Sequence, residues 1–162
     1  MKEVLVIGAG AAGMMAAIRA AQQGCKVTVL EKGRGPGTKL NITGKGRCNV
    51  TNDCDVDTLI RNVPRNGRFL FSAFHGFTSQ DAMAFFEELG VPLKTERGQR
   101  VFPVSDRARD VSGALRDRMH RLGVRVISAR AKEILTEEGK VSGVLTAKGE
   151  RLTAQSVIVA TG

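Results

Sequence analysis

At 162 residues, with 42% hydrophobic and 25% charged side chains, the chain has the length and balance of one globular domain able to bury a core of its own. No apolar run approaches the roughly 20 residues of a membrane-spanning helix, and the three cysteines, Cys25, Cys48 and Cys54, form no CxxC pair, which excludes a disulfide framework and a zinc site and implies a reducing, cytoplasmic setting with no metal and no membrane partner. The formal net charge is +9, and part of it is local, because Lys32, Arg34, Lys39, Lys45 and Arg47 occur with no acid between Glu31 and Asp53; such a stretch either attracts phosphates or is a solvated basic loop.

Taken in chain order, the short apolar run Val4 to Ile7 ends at glycine and predicts a strand, and the Ala-rich segment through Gln23 predicts a helix ended by Gly24. The β-branched run Lys26 to Leu30 predicts a second strand. Residues 32–64 have little periodicity and many small or polar side chains. They predict a long ordered loop, and loops of that length inside compact domains usually wrap a ligand. Thr78 or Ser79 can cap a helix through Leu89, stopped by Gly90 and Pro92. A hairpin is expected over Leu93 to Phe102, turning at Arg97 and Gly98. Ser105 is expected to cap a helix in which Val111, Ala114, Leu115, Met119 and Leu122 recur at helical spacing before Gly123. Val124 to Ser128 reads as a strand, and turn signals at Glu138-Gly139 and Lys148-Gly149 divide 130–154 into three short antiparallel strands. A last strand, Ser156 to Ala160, runs into Thr161-Gly162, as if toward a further turn, so a truncated domain is expected. Phe69, Phe71, Phe74, Phe77, Phe85 and Phe86 read as core, and His75 and His120 as structural histidines.

The motif that carries chemistry is GAGAAG, a GxGxxG placed directly after a strand and at the start of a helix. In that setting Gly8 makes the tight turn, Gly10 lets backbone approach a pyrophosphate, and Gly13 lets helix pack on strand. The phosphates then meet the N–H groups of Ala11, Ala12 and their neighbours at the positive end of the helix. Glu31 closes the second strand eighteen positions after Gly13, where an acid accepts hydrogen bonds from the adenosine ribose and repels a 2′-phosphate. Lys32 and Arg34 lie close enough to leave a phosphorylated ribose open.

Beyond the fingerprint, the loop string GKGRCNVTN resembles the GGGRCNxTN signature of the BaiN/RdsA/aminoacetone-oxidase-like flavoproteins. Arg100-Val-Phe-Pro-Val-Ser-Asp106 and Val157-Ile-Val-Ala-Thr-Gly162 also match that group, and the resemblance covers essentially the whole chain. It implies an α/β, Rossmann-like FAD-binding fold: a βαβ unit over 1–31, a cofactor-wrapping loop over 32–64 and an antiparallel meander over 130–154. Gly8, Gly10, Ala11, Ala12 and Gly13 would hold the pyrophosphate, Glu31 the ribose with Lys32 beside it, and Ala131 would offer its backbone to adenine. Lys39, Gly44, Gly46, Arg47, Cys48, Asn49 and Asn52 would line the flavin, with Thr161 and Gly162 beside the cofactor and Phe102, Pro103 and Ser105 approaching it. Arg47 adds charge and Asn49 can donate to flavin carbonyls. Lys45 replaces a commonly found glycine, so the loop is expected to reach positive φ less easily. The group also carries a C-terminal part that this chain does not include.

The activity so implied is hydride transfer from NAD(P)H through FAD to an electron-poor C=C bond, of an enone-type small molecule or of a uracil ring in ribosomal RNA. An amine oxidase using oxygen and a non-catalytic dinucleotide-binding fragment are the alternatives. RNA contact would suit Arg61, Arg65 and Arg68 near Phe69 and Phe71. A redox-active Cys48/Cys54 pair is disfavoured, because five residues separate the two and Asp53 and Asp55 flank Cys54.

Overall fold

The computed structural model describes residues 1–162, and the chain divides into two compact units, one of residues 1–40 with 115–162 and one of residues 41–114. The elements are β1 (Glu3–Ile7), α1 (Ala11–Gln22), β2 (Lys26–Glu31), β3 (Thr51–Asn52), α2 (Val56–Arg61), α3 (Phe71–Gly76), α4 (Ser79–Glu88), β4 (Leu93–Glu96), β5 (Arg100–Pro103), α5 (Ala108–Arg121), β6 (Arg125–Ser128), β7 (Ala131–Glu137), β8 (Lys140–Thr146), β9 (Arg151–Thr153) and β10 (Ser156–Val159).

The first unit is built on a four-stranded parallel sheet in the order β10-β1-β2-β6. Its strands are short runs of Val, Ile and Leu, as expected where a parallel sheet is covered on both faces. Val6 and Val29 are fully buried, and so are Met14, Ala17 and Ile18 of α1, which packs on β1, β2 and β10. Leu5 and Leu30 instead join Val144 and Ala154 in a cluster with Ile127, Ala131, Leu152 and Val157. The three-stranded antiparallel sheet β7-β8-β9 thus supplies apolar cover to the parallel sheet. Full burial of a Val, Leu, Ile or Met side chain among them contributes about 1.5 to 3 kcal/mol, which outweighs any local preference of such short strands.

The second unit holds the sheet β3-β5-β4 and the helices α2 to α4. Helix α4 begins with a reciprocal cap: Thr78 Oγ accepts from the Asp81 N–H at 3.1 Å, and the Asp81 carboxylate accepts from the Thr78 N–H at 2.8 Å. The hairpin β4–β5 turns at Arg97–Gly98 as its sequence predicts, with Gln99 and Gly98 at positive φ.

Three expectations are corrected. The 32–64 stretch contains β3, paired to β5, and α2, whose Asp55 cap accepts from the Thr58 N–H at 2.6 Å; a strand of two residues and a helix of six are too short to leave a periodic signal. Ser105 is not the cap of α5, because Asp106 sits at φ 55° and the helix starts only at Ala108; Ser105 Oγ accepts from the Arg107 N–H within that turn at 3.3 Å. Phe69, Phe71 and Phe77 are not core: they are 87%, 53% and 43% exposed, whereas Phe86 and Phe102 are buried. No residue of α2, of the 3-10 turn Gly67–Leu70 or of α3 is buried, so counting aromatics overstated the core. Lys45, in contrast, takes φ 57° although it is not glycine.

Candidate functional site

In the first unit the chain turns sharply between β1 and α1. Gly8 adopts φ 102° and its N–H donates to the Leu30 carbonyl at 2.8 Å. A Cβ there would stand 2.5 Å from the Ala160 carbonyl oxygen, and one on Gly13 would stand 1.9 Å from the Gly8 carbonyl oxygen. These two glycines are therefore demanded by backbone packing. Gly10 differs, since a Cβ on it would meet nothing within 4 Å. It leads into α1, where the first helical bond runs from the Met14 N–H to the Gly10 carbonyl at 2.9 Å. The N–H groups of Ala11, Ala12 and Gly13 consequently have no intrahelical acceptor, the first turn carries no acid, and Ala11 and Ala12 are exposed. The arrangement suits a pyrophosphate lying against backbone N–H groups without a basic side chain.

Glu31 ends β2 with its carboxylate held from both sides. One oxygen accepts from the Ala9 N–H at 2.8 Å and the other from the Gly33 N–H at 2.7 Å. Each carboxylate oxygen has further lone-pair capacity, so the group is oriented and still able to accept from a ribose hydroxyl. Immediately beyond it an open cleft is lined by Lys32, Ser128, Ala129, Arg130, Thr146, Ala147 and Lys148. Its geometry comes from the crossing of β6 into β7, where the Ala129 N–H donates to the Glu31 carbonyl at 3.1 Å and the Ala147 N–H to the Arg130 carbonyl at 2.7 Å. Ala131 lies one residue beyond the cleft lining, paired with Thr146 in β7–β8 and packed into the apolar cluster under the meander. Thr161 adjoins the Gly8 turn, and Gly162 and Lys39 are exposed.

The second unit holds the remaining predicted residues, four of them, Gly44, Gly46, Arg47 and Cys48, in one tight turn. Gly44, Lys45, Gly46 and Cys48 all have positive φ, at 54°, 57°, 86° and 62°. The Arg47 N–H donates to the Gly44 carbonyl at 3.2 Å and the Cys48 N–H to the Thr43 carbonyl at 3.1 Å. A Cβ on Gly44 would approach the Asn49 nitrogen at 3.0 Å and the Phe102 ring at 3.2 Å. With its amide oriented toward acceptors, the Asn49 side-chain nitrogen donates to the carbonyls of Thr51 at 2.9 Å and Val101 at 3.1 Å. Asn52 donates to the Gly98 carbonyl at 2.8 Å. Both amides thus fasten the segment to the β4–β5 hairpin, and Asn49 has both of its donors engaged there.

Arg47 is paired as well. Its Nε and one terminal nitrogen donate to Asp106 Oδ1 at 2.8 and 2.6 Å, the same terminal nitrogen donates to Glu96, and the guanidinium lies 4.1 Å from the Phe102 ring centroid. Lys94 Nζ completes the group, 2.8 Å from Asp106 Oδ2 and 3.5 Å from Glu96 Oε1. Hydrogen bonds from Lys94 and Arg47 hold the Asp106 carboxyl below its ordinary value, and Arg47 does the same for Glu96. Two cations face two anions, so the local charge that the composition attributes to Arg47 is neutralised. Lys94, Glu96 and Asp106 were not among the predicted site residues, and only Asp106 falls within a string singled out in the sequence; pairing across a hairpin has no linear signal.

Burial pushes the Cys48 thiol up against an opposing hydrogen bond with Thr43, and Cys54 is pushed up by burial first and then by Asp55 and Asp53. All three cysteines are free, and neither of these two has the lowered value of a reactive thiol. His75 pairs with the Phe71 carbonyl at 2.9 Å. No helix is long and apolar enough to cross a membrane.

The glycine turn, the strand-end acid, the parallel sheet and the antiparallel meander together define a Rossmann-type domain. The chain belongs to the HI0933-like protein Rossmann domain family, whose model matches residues 2–162. It is 34% identical across its whole length to the 3-dehydro-bile acid delta(4,6)-reductase of Clostridium scindens, covering 39% of that protein. Across 99% of its length it is 29% identical to the ribosomal RNA dihydrouridine synthase of Haemophilus influenzae, covering 40% of it. The chain therefore spans about two fifths of the length of these relatives. In fold it is similar to the 3-ketosteroid-delta4-(5alpha)-dehydrogenase of Rhodococcus jostii RHA1, with a TM-score of 0.75 and 19% identity over 99% of this chain and 46% of that one. The flavocytochrome c3 fumarate reductase matches 99% of this chain and 33% of its own, with a TM-score of 0.73 and 24% identity.

Proposed function

We propose that this chain binds FAD and forms the cofactor domain of a reductase acting on an electron-poor C=C bond. The observation that carries the reading is the Glu31 carboxylate, held between the Ala9 and Gly33 N–H groups beside a phosphate turn whose Gly10 faces open space. The residues fit the ADP half of the cofactor: the N–H groups of Ala11, Ala12 and Gly13 face the pyrophosphate, Glu31 accepts from the ribose, and the cleft flanked by Lys32, Arg130 and Lys148 takes the adenine beside the Ala131 backbone. Thr161, Gly162, Lys39, Gly44, Gly46, Arg47, Cys48, Asn49 and Asn52 are assigned to the flavin side on the motif match alone. When bound, the flavin supplies hydride transfer from a donor such as NAD(P)H to the substrate. The reductase name of the Clostridium relative favours that direction over amine oxidation, and a small enone-type molecule is the first substrate class to test.

Titration of the purified chain with FAD, followed by flavin fluorescence and competed with ADP, tests the reading. Saturable FAD binding displaced by ADP but weakly by 2′-phospho-ADP is the expected result. Absence of binding by both FAD and ADP would overturn it.

A second reading has its own observation. Arg61, Arg65 and Arg68 are exposed beside the exposed rings of Phe69 and Phe71, and no acid occurs between Asp57 and Asp81. Arginines for phosphates and rings for bases suit a single-stranded RNA substrate, in keeping with the name of the Haemophilus relative. Binding of a labelled RNA oligonucleotide should weaken steeply with salt and with Phe69→Ala; affinity indifferent to both would remove this reading.

A further inference from the structure

We propose that Arg47 is a lock on the Gly44–Cys48 turn rather than a ligand for the cofactor, and that Glu96 and Asp106 are the positioning residues that hold it shut. The turn needs such a device. Four of its five residues have positive φ, two of them, Lys45 and Cys48, with a Cβ, and left-handed backbone at such residues persists only where surrounding structure over-determines it. Local hydrogen bonds supply only part of that determination, through the Gly44 and Thr43 carbonyls.

The remainder comes from the Arg47 side chain. Its planar fork meets Asp106 with two nitrogens and Glu96 with one of them, over the Phe102 ring at 4.1 Å. The anchors lie on the hairpin: Glu96 ends β4, Phe102 is in β5, and Asp106 follows three residues after β5. Asp106 is itself held by Lys94 at 2.8 Å. Recruiting Arg47 to a phosphate or flavin would leave two carboxylates facing Lys94 alone, so the arrangement favours a guanidinium that stays in place. A lysine could supply the charge but not the paired contact that Nε and a terminal nitrogen make with Asp106.

Cys48 reports on the lock directly, because it follows Arg47 and is only 4% exposed. The test compares maleimide labelling of Cys48 with that of Cys25 in the same sample, resolved by peptide mass, for the wild-type chain and for Asp106→Asn, Glu96→Gln and Arg47→Lys. Unfolding midpoints are measured alongside. The expected result is a Cys48-to-Cys25 labelling ratio raised at least tenfold in Asp106→Asn, and raised in Arg47→Lys despite the retained charge, in variants whose midpoints show them folded under the labelling conditions. An unchanged ratio in folded variants overturns the lock. If Asp106→Asn unfolds, Arg47→Lys and Glu96→Gln carry the same comparison.

The consequence for cofactor rests on the FAD reading, and the two fail separately. Where the wild type binds FAD, variants with a raised ratio should bind it more weakly in the same order. Weaker FAD binding by Arg47→Lys with an unchanged ratio would make Arg47 a direct ligand and overturn the proposal. A wild-type chain that binds neither FAD nor ADP overturns the cofactor reading alone, since the labelling arm needs no ligand.

Discussion

The carboxylate of Glu31 accepts a hydrogen bond from the backbone N–H of Ala9 at 2.8 Å, joining the end of β2 to the glycine turn 22 positions earlier. The acid that would read the ribose is thereby fixed to the backbone that would hold the pyrophosphate, before any ligand arrives. Replacing Glu31 by Gln removes the negative charge and turns one of its two acceptors, toward Ala9 or Gly33, into a donor. Hydrogen bonds to charged groups are worth about 1.5 to 3 kcal/mol, so Glu31→Gln should weaken ADP binding by roughly 10- to 150-fold. Calorimetric titration with ADP reads this directly. An affinity within a factor of two of wild type would show that the acid does not meet the ribose.

The second and third glycines of the motif, Gly10 and Gly13, should respond in opposite ways. A methyl on Gly13 would fall 1.9 Å from the Gly8 carbonyl oxygen, a backbone atom that cannot rotate away, whereas one on Gly10 meets nothing within 4 Å. Gly13→Ala should cost about 1 to 3 kcal/mol or more of stability through overpacking. Gly10→Ala should stay within about 1 kcal/mol of wild type, the difference between Gly and Ala as a helix cap, yet lose nucleotide binding because the methyl occupies the phosphate approach. Denaturant unfolding and ADP titration of both variants separate the effects. Equal destabilisation by the two would contradict the packing argument.

The sheet strands, α1, α4, the hairpin and the meander were legible because each combines a periodic or β-branched run with its own stop signal, such as Gly24 after α1 or Glu138-Gly139 between β7 and β8. The glycine turn between β1 and α1 and the place of Glu31 at the end of β2 were legible for a related reason: their spacing is fixed by one local βαβ geometry. What could not be read depends on pairing between distant segments. Nothing in Thr51-Asn52 announces a partner in Arg100-Val101, and nothing in Arg47 reveals that Glu96 and Asp106 claim its donors. Exposure of Phe69 was illegible because aromatic residues are usually buried, and no residue spacing marks the exception.

Lys45 offers a test of backbone strain. It holds φ 57° and ψ 39°, a region costing a residue with a Cβ about 1 to 2 kcal/mol, and its side chain is exposed. Lys45→Gly removes that cost while increasing the freedom of the unfolded chain, a loss of about 0.5 to 1 kcal/mol. The net expectation is stabilisation by about 0.5 to 1 kcal/mol. The shift in chemical-denaturation midpoint at constant slope measures it, and a destabilised variant would mean that the lysine side chain makes a favourable contribution.

The paired carboxylates predict an acid limit specific to the second unit. Asp106 lies below its ordinary value through Lys94 first and Arg47 next, and Glu96 through Arg47 first. A carboxylate whose folded value is depressed binds protons more readily when unfolded, so its stabilising contribution is complete above the unfolded value and is lost as pH falls through the folded one. Asp55 and Asp81 are depressed too, by their helix caps, so total stability falls in acid whether or not the Arg47 cluster is present. The informative quantity is the difference between the wild type and the double variant Glu96→Gln/Asp106→Asn. It should be constant from about pH 8 down to about pH 5 and should shrink below about pH 4, where unfolded carboxylates become protonated. Urea unfolding of both proteins across that range gives the two curves. If they run parallel down to the acid limit, Glu96 and Asp106 do not hold Arg47 through their charge, and the turn is set by its local hydrogen bonds and by Phe102.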